Sequence, residues 1–459
     1  MNRKIPIAYR FIAIALLVIA LPASAQKTNT KKSNTTKNYT DSSLIIQKNL
    51  TDDQLLDLVQ KQTFRYFWDF AHPTSGLARE RSNIAYDYGH ETTTTGGTGF
   101  GIMAIVVAVE RGWIGRDTAV GHLLKMVKFL AKADKYHGVF PHWLHGETGK
   151  TIPFSSKDDG ADIVETSYLM QGLLTARQYF NRNDPRENQL RNRITWMWND
   201  VEWNWHTRDG LSVLFWHWSP NNGWSMNHEI RGWNECLITY VLAASSPRYS
   251  INADVYHRGW ANSSHFKNQR EYYGIKLPLG FDYGGPLFFA HYSFLGIDPK
   301  GLKDRYADYW IQNLNHTLIN REHCIRNPKN YKGYGADCWG LTASDNHRGY
   351  GAHSPEEDLG VISPTAALSS FPYTPEYSMQ ALRHFYYDLG DKIWSKYGFV
   401  DAFNETAGWY ANSHLAIDQG PIIVMIENYR SGLLWKLFMS ATEIQNGLKK
   451  LGFQSPWLK

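Results

Sequence analysis

DDGADIVETSYLMQGLLTARQYF, residues 158–180, is the stretch whose reading decides the fold. Its second half spaces Ile163, Leu169, Met170, Leu173, Leu174 and Phe180 at near-helical intervals, which predicts an amphipathic helix over about 161–179. Its first turns instead carry Asp158, Asp159, Asp162 and Glu165. On a helix, Asp162 and Glu165 share one face and repel each other. The helix dipole offsets part of that repulsion at an N-terminus. Two readings stand: a solvated, dipole-matched first turn, or a carboxyl pair held together for chemistry.

Outward from this stretch the chain reads as helix after helix. Thr51-Asp52-Asp53 predicts a cap for a helix carrying Leu55, Leu56, Leu58, Val59, Phe64, Phe67 and Trp68, ended by His72-Pro73. Gly96-Gly97-Thr98-Gly99-Phe100-Gly101 lacks a preceding apolar strand and the lysine of a phosphate loop. It is read as a glycine-rich lead-in to a helix over 102–111, with glycines where helices pack closely. Further helices are predicted over 116–133, 185–203, 231–245, 287–294, 302–318, 363–368, 375–388 and 421–445. The run LSVLFWHWS (211–219) is the clearest strand, turned by Pro220-Asn221-Asn222-Gly223. About a dozen helices joined by long aromatic loops, with no equal sequence period, imply an all-α toroid with short strands only in loops.

The 459 residues suit one large core or two ordinary domains. Net charge is only +5, with much of the positive excess before residue 50, and no basic stripe points to nucleic acid. Residues 1–25 read as a secretory signal: Arg3, Lys4 and Arg10, then an apolar run, then Ala23-Ser24-Ala25. Residues 26–49 are Lys, Thr, Asn and Ser and predict a disordered tether. The remainder, 50–459, is expected to be a single catalytic domain. The longest later apolar run, 102–109, is too short for a bilayer, so the expected product is an exported, periplasmic, monomeric protein with no membrane span. Of three cysteines, Cys324 and Cys338 make the more plausible disulfide and Cys236 a buried thiol. Neither the cysteines nor His142 and His145 fit a metal spacing, and no GxSxG occurs. No metal or cofactor is expected.

Three acids sit inside apolar helical runs. Glu235 follows Gly232-Trp233-Asn234 and precedes Leu237, Ile238, Val241 and Leu242. A carboxylate there is costly unless paired, with Arg231 for instance, or unless its pKa is raised. Asp418 reads either as a helix cap or as a reactive acid. Glu427 reads as half of a structural ion pair. The chain also holds 18 Trp, 27 Tyr and 21 Phe, more than a core alone should absorb. Trp143, Trp216, Trp218, Trp224, Trp233, Trp339 and Trp409 lie in loops or at helix ends, where flat apolar faces suit sugar rings as well as packing. Carboxyls beside such faces are what glycosidic-bond hydrolysis requires.

Long motifs in order, TGFGIMAIVVAVERGWI (from Thr98), GVFPHWLHGETGK (from Gly138), DIVETSYLMQGLLTARQYF (from Asp162) and GWNECLITYVLAASSP (from Gly232), resemble the glucoamylase-like domain family. So do GPLFFAHYSFLGIDPKGLKD (from Gly285), CIRNPKNYKGYGADCWGLTASD (from Cys324), SPTAALSSFPYTPE (from Ser363) and AIDQGPIIVMIENYRSGLLW (from Ala416). The resemblance covers about 50–459 and is greatest to glycoside hydrolase family 144. It implies an (α/α)6 barrel that cleaves β-1,2-linked glucose chains with inversion. It places the acidic cluster on Asp158, Asp162 and Glu165, with Glu235 and Asp418 as further cleft acids. Glu235 is then expected to be the acid and Asp162 or Glu165 the base side, with Asp418 a rival for either role. Asp158, His142, Trp143, Trp216, Trp233, Trp339 and Trp409 are expected to bind an oligo- or polysaccharide. A glucoamylase-like exo-glucosidase, a polysaccharide lyase and a non-catalytic glycan-binding protein remain as alternatives.

Overall fold

The computed structural model describes residues 44–85 and 87–458. The predicted signal and the tether up to residue 43 lie outside the described residues. Helices run α1 (Asp52–Trp68), α2 (Thr95–Glu110), α3 (Arg116–Leu130), α4 (Ile163–Tyr179), α5 (Pro185–Asp200), α6 (Leu237–Ser245) and α7 (Tyr309–Arg326). They continue as α8 (Pro364–Leu368), α9 (Pro375–Arg383), α10 (Gly390–Ile393), α11 (Ala416–Arg430), α12 (Leu433–Met439) and α13 (Thr442–Lys450).

Burial sorts these elements into two rings. Helices α2, α4, α6, α8 and α11 are buried almost all round; in α4 every residue from Ile163 to Ala176 is buried. A helix apolar on every side belongs inside other helices. Two 3₁₀ turns, Leu287–Ala290 and Tyr292–Leu295, fill the remaining inner place. The outer ring takes α1, α3, α5, α7 and α9, each with an exposed polar face, and the π-helical turn Val255–Trp260. Outer and inner elements alternate along the chain, which is the (α/α)6 toroid. The strands are short antiparallel ribbons in the loops, including a three-stranded one of Thr92–Thr94, Trp143–His145 and Thr151–Ile152.

The glycine stretch shows why the inner ring closes. It lies inside α2 rather than ahead of it, so this helix starts earlier than predicted. A Cβ on Gly99 would fall 2.0 Å from the Tyr168 carbonyl oxygen, and one on Gly172 would fall 2.1 Å from that of Gly99. Helices α2 and α4 thus touch backbone to backbone. The helix penalty of glycine is outweighed by that contact. Outside, Thr51 caps α1 with a reciprocal capping box to Gln54.

Other boundaries differ in ways that matter to the site. The run 231–245 is helical only from Leu237, because the Asn234 side chain accepts from the Cys236 N–H and holds the preceding turn open. The 211–219 run pairs as a strand only at His217–Trp218, against Ala161–Asp162. Its remaining backbone bonds go to loop partners such as His206 and His228. The helix expected over 302–318 is α7, whose start waits for the Asp308 cap. The 421–445 run is three helices, and α11 begins before Pro421. The expected Cys324–Cys338 disulfide is absent: all three cysteines are buried thiols.

Candidate active site

Inner helices of a toroid all point the same way, so their N-termini gather at one end. Asp162 is the N-cap of α4 and Glu165 lies in its first turn; Glu235 lies just ahead of α6; Asp418 lies in the first turn of α11. The four acids therefore converge although they are spread over the chain; Asp162, Glu165 and Asp418 are buried and Glu235 is half-buried, each near a positive helix end.

Asp162 is saturated with donors. Its Oδ1 accepts from the N–H groups of Val164 and Glu165, at 3.0 and 2.9 Å, and from Trp216 Nε1 at 3.0 Å. Its Oδ2 faces His142 Nδ1 at 3.0 Å and His217 Nε2 at 3.6 Å. Burial pushes this carboxyl up, but the His142 bond and the two imidazoles outweigh it and hold it below its ordinary value. Asp158 meets the same His217 Nε2 at 3.2 Å. The other nitrogen of His142 lies 4.0 Å from Glu165 Oε1. Burial disfavours the His142 charge, yet Glu165, Asp162 and Asp158 together push it up to about 10. It is an imidazolium between carboxylates.

Glu165 differs from Asp162. Its Oε2 accepts from the Gly96 N–H at 2.7 Å and from Thr94 Oγ1 at 3.4 Å, leaving Oε1 toward His142. Burial pushes this carboxyl up to about 7, against the pull of His142 and with the repulsion of Asp162. Glu235 is pushed to about 7 as well, chiefly by burial, then by the field of Glu165 and Asp162. Arg231, its expected partner, is spent on Glu229 and on the carbonyls of Arg258 and Gly259.

A second acid group lies close by: the Tyr292 hydroxyl feels Asp418, Glu235 and Glu165 together, and Glu80 feels His142. Arg81 pairs with Glu80 at 2.9 Å and with Asp345 at 3.1 Å. Asp401 Oδ2 accepts the Asp345 N–H at 2.7 Å. Burial and then the repulsion of Asp345 push Asp401 up to about 7. Burial and then Asp401 push Asp418 well above the carboxylate range, and neither Asp418 oxygen has a hydrogen bond of good geometry. Glu427 is the structural pair expected of it, joined to Arg111 at 2.8 Å.

The aromatic expectations divide. Trp216 is half-buried at the site, grouped with His217 and His228 in near-parallel planes, with its indole N–H on Asp162. Trp143 packs edge-on to His142 and Phe154, and Phe154 stacks on His142 at 4.1 Å. Trp409 is half-buried in the ribbon Phe403–Asn404/Trp409–Tyr410. Trp233 and Trp339 are corrections: both are 0% exposed, Trp233 among Trp260, Phe294 and Tyr309, so neither offers a face to a sugar. Sequence reasoning passed over His217, Glu80, Arg81, Asp345 and Asp401. The donor atoms of His142, Asp158 and Asp162 come within 4.8 Å of one another, as a cation would need. The proton that His142 carries opposes ligation there.

A family model described as "Putative glucoamylase" matches residues 227–442. The chain is similar to the exo β-1,2-glucooligosaccharide sophorohydrolase (non-reducing end) of Parabacteroides distasonis, 48% identical over 423 residues, 88% of this chain and 58% of that protein. It thus spans little more than half the length of this curated relative. A solved structure from Bacteroides uniformis, under the same description as the family model, is 62% identical with a TM-score of 0.88, covering 90% of this chain and 100% of that one. The endo-β-1,2-glucanase of Chitinophaga pinensis, in complex with sophorotriose and glucose, is 58% identical with a TM-score of 0.87, covering 89% and 100%.

Proposed function

The chain belongs to the glucoamylase-like family, on its glycoside hydrolase family 144 side, and on that premise we propose that it hydrolyses β-1,2-linked glucans or sophoro-oligosaccharides by an inverting displacement. The observation that carries the proposal is Glu235. It is half-buried, and among the described residues no cation pairs with it. Desolvation with the field of Glu165 and Asp162 pushes its pKa up to about 7, which keeps a proton available at neutral pH. Such a group protonates the leaving oxygen as the glycosidic bond breaks.

The opposite role needs an ionised carboxylate with an open lone pair. Asp162 is ionised, but its oxygens are taken by donors. Glu165 has one oxygen fixed by Gly96 and the other toward the His142 imidazolium. Burial raises it to about 7, as it does Glu235, but only Glu165 has a cation beside it to favour its charge. It therefore takes the base side, and Asp162 positions His142. Inversion requires about 6.5–9.5 Å between the two carboxyls, room for one water. Trp216 and Trp409 are the half-buried aromatics left to bind sugar, while Trp143 is buried against His142 and Phe154 and supports them from behind. Asp418 stands as the rival acid, because burial and then Asp401 raise it well above the carboxylate range.

The remaining sequence expectations join this proposal: signal at 1–25, tether at 26–49, a single catalytic domain over 50–459, and a monomer working in the periplasm. No helix of the described residues is long and apolar enough to cross a membrane. Glu235→Gln should keep the fold and lower turnover on β-1,2-glucan about 10³-fold, the scale of a lost general acid. NMR of the first product should show the α-anomer at the new reducing end. Near-normal activity in the variant, or no new reducing ends from the parent on any glucan, would sink the proposal.

A further inference from the structure

Outside both acid groups, three segments far apart in sequence bring a sulfur, a nitrogen and an oxygen together. Cys338 lies in the loop after α7, His384 opens the π-helical turn His384–Asp388 that follows α9, and Glu405 lies in the turn after Phe403–Asn404. One donor atom from each lies within 4.8 Å of the other two. Cys338 is buried and the other two are half-buried.

The histidine is already set up as a ligand. Its Nδ1 bonds Asp388 Oδ2 at 2.9 Å, and since a carboxylate only accepts, Nδ1 carries the hydrogen. The lone pair is then on Nε2, which is buried and has no hydrogen-bond partner. An orphaned buried nitrogen is costly, and a carboxylate behind the imidazole is how metal-bound histidines are oriented. Glu405 faces Lys332 at 3.8 Å, a loose pair with a largely exposed lysine that contributes little.

We propose that Cys338, His384 and Glu405 bind a divalent transition-metal ion of the zinc class, with water in the fourth position. A thiolate, an imidazole and a carboxylate are the donor types that zinc accepts, whereas magnesium and calcium take oxygens. Bond lengths of about 2.0–2.3 Å put tetrahedral donors roughly 3.3–3.8 Å apart, within about 1.5 Å of the widest separation these donors have. On binding, the Cys338 thiol releases its proton to solvent, and the ion's two charges are balanced by thiolate and carboxylate. The ion would tie the loop after α7, the end of α9 and the ribbon that begins just past Asp401.

The test uses the whole protein, reduced with a non-thiol reagent, stripped with a chelator and titrated with zinc or cobalt(II) alone. One zinc per chain is expected, with a thiolate-to-cobalt absorption band in the near ultraviolet and a zinc-dependent rise in Tm. Cys338→Ser should abolish the band and the rise, and Asp388→Asn should weaken binding at least about 10-fold. Where the serine variant folds poorly, Glu405→Gln supplies the same loss of affinity. The proposal is overturned by a reduced wild-type chain that takes no zinc. It is equally overturned by binding unchanged in Cys338→Ser, or by binding lost only in Asp158→Asn.

Discussion

The two acid groups near Tyr292 have similar numbers of carboxyls and opposite electrostatics. Asp158, Asp162 and Glu165 share two histidines, one of them protonated to about pH 10. Glu80, Asp345, Asp401 and Asp418 have Arg81 as the cation paired into them. In the first group the positive charge suffices to hold Asp162 below its ordinary value. In the second it does not, and burial followed by mutual repulsion raises Asp401 and Asp418. Burial set against local charge and hydrogen bonds, not carboxyl identity, decides which acids keep a proton: Glu165, beside the same His142, is itself raised to about 7. Glu235, with no cation among the described residues, falls on the protonated side of that division. The proposed reaction needs both a proton donor and a proton acceptor, and this division would supply both from one residue type.

Removing the counter-ion of one group should hurt more than thinning that of the other. Arg81→Met leaves Glu80 and Asp345 buried without their guanidinium and should cost about 3–5 kcal/mol in urea unfolding at pH 8. His217→Asn leaves His142 in place and should cost clearly less. Equal losses would break the comparison, since the two groups would then depend equally on their cations.

The next effect concerns Glu235. Its folded pKa of about 7 lies above the ordinary 4.5, so the folded state holds the proton more tightly than the unfolded chain. That contribution to stability is complete below about pH 4.5 and is lost as pH rises through about 7. Glu235→Gln does not titrate. Relative to wild type it should therefore gain up to about 3 kcal/mol between pH 4 and pH 8, in the same samples that lose activity. A flat difference across that range would mean Glu235 has a cation or an open path to water.

Much of this is legible in the chain. Asp162, Glu165, Glu235 and Asp418 stand out because acids interrupt apolar helical runs, and the structure gathers them at one end of the inner ring. The second group stays hidden because Glu80, Arg81, Asp345 and Asp401 sit in loops or short ribbons, where no periodicity marks which side faces inward. His217 escapes notice for a related reason: only its two-residue pairing with Ala161–Asp162 brings it to the acids. Propensity alone puts the lead-in glycines outside α2, and the contact with α4 that outweighs propensity is tertiary. Trp233 and Trp339 mislead in the other direction. A toroid with two helical layers has more interior than the aromatic count suggests, and both are spent filling it.

The smallest effect is also the sharpest probe of the second group. Asp401→Asn keeps an oxygen for the Asp345 N–H and places an amide where a repelling carboxylate stood beside Asp418. If surplus negative charge is what raises this pair, the substitution should stabilise the protein by about 1–2 kcal/mol at pH 8 and by little at pH 3, where the carboxyls are largely protonated in folded and unfolded chains alike. The sign is the point. A buried polar residue changed to a neutral isostere ordinarily destabilises, because some hydrogen bond is lost. Stabilisation that appears only at high pH is the signature of relieved repulsion between acids. Destabilisation at both pH values would show instead that Asp401 is held ionised by partners, and the contrast between the two acid groups would have to be redrawn as a contrast of hydrogen bonds rather than of charge.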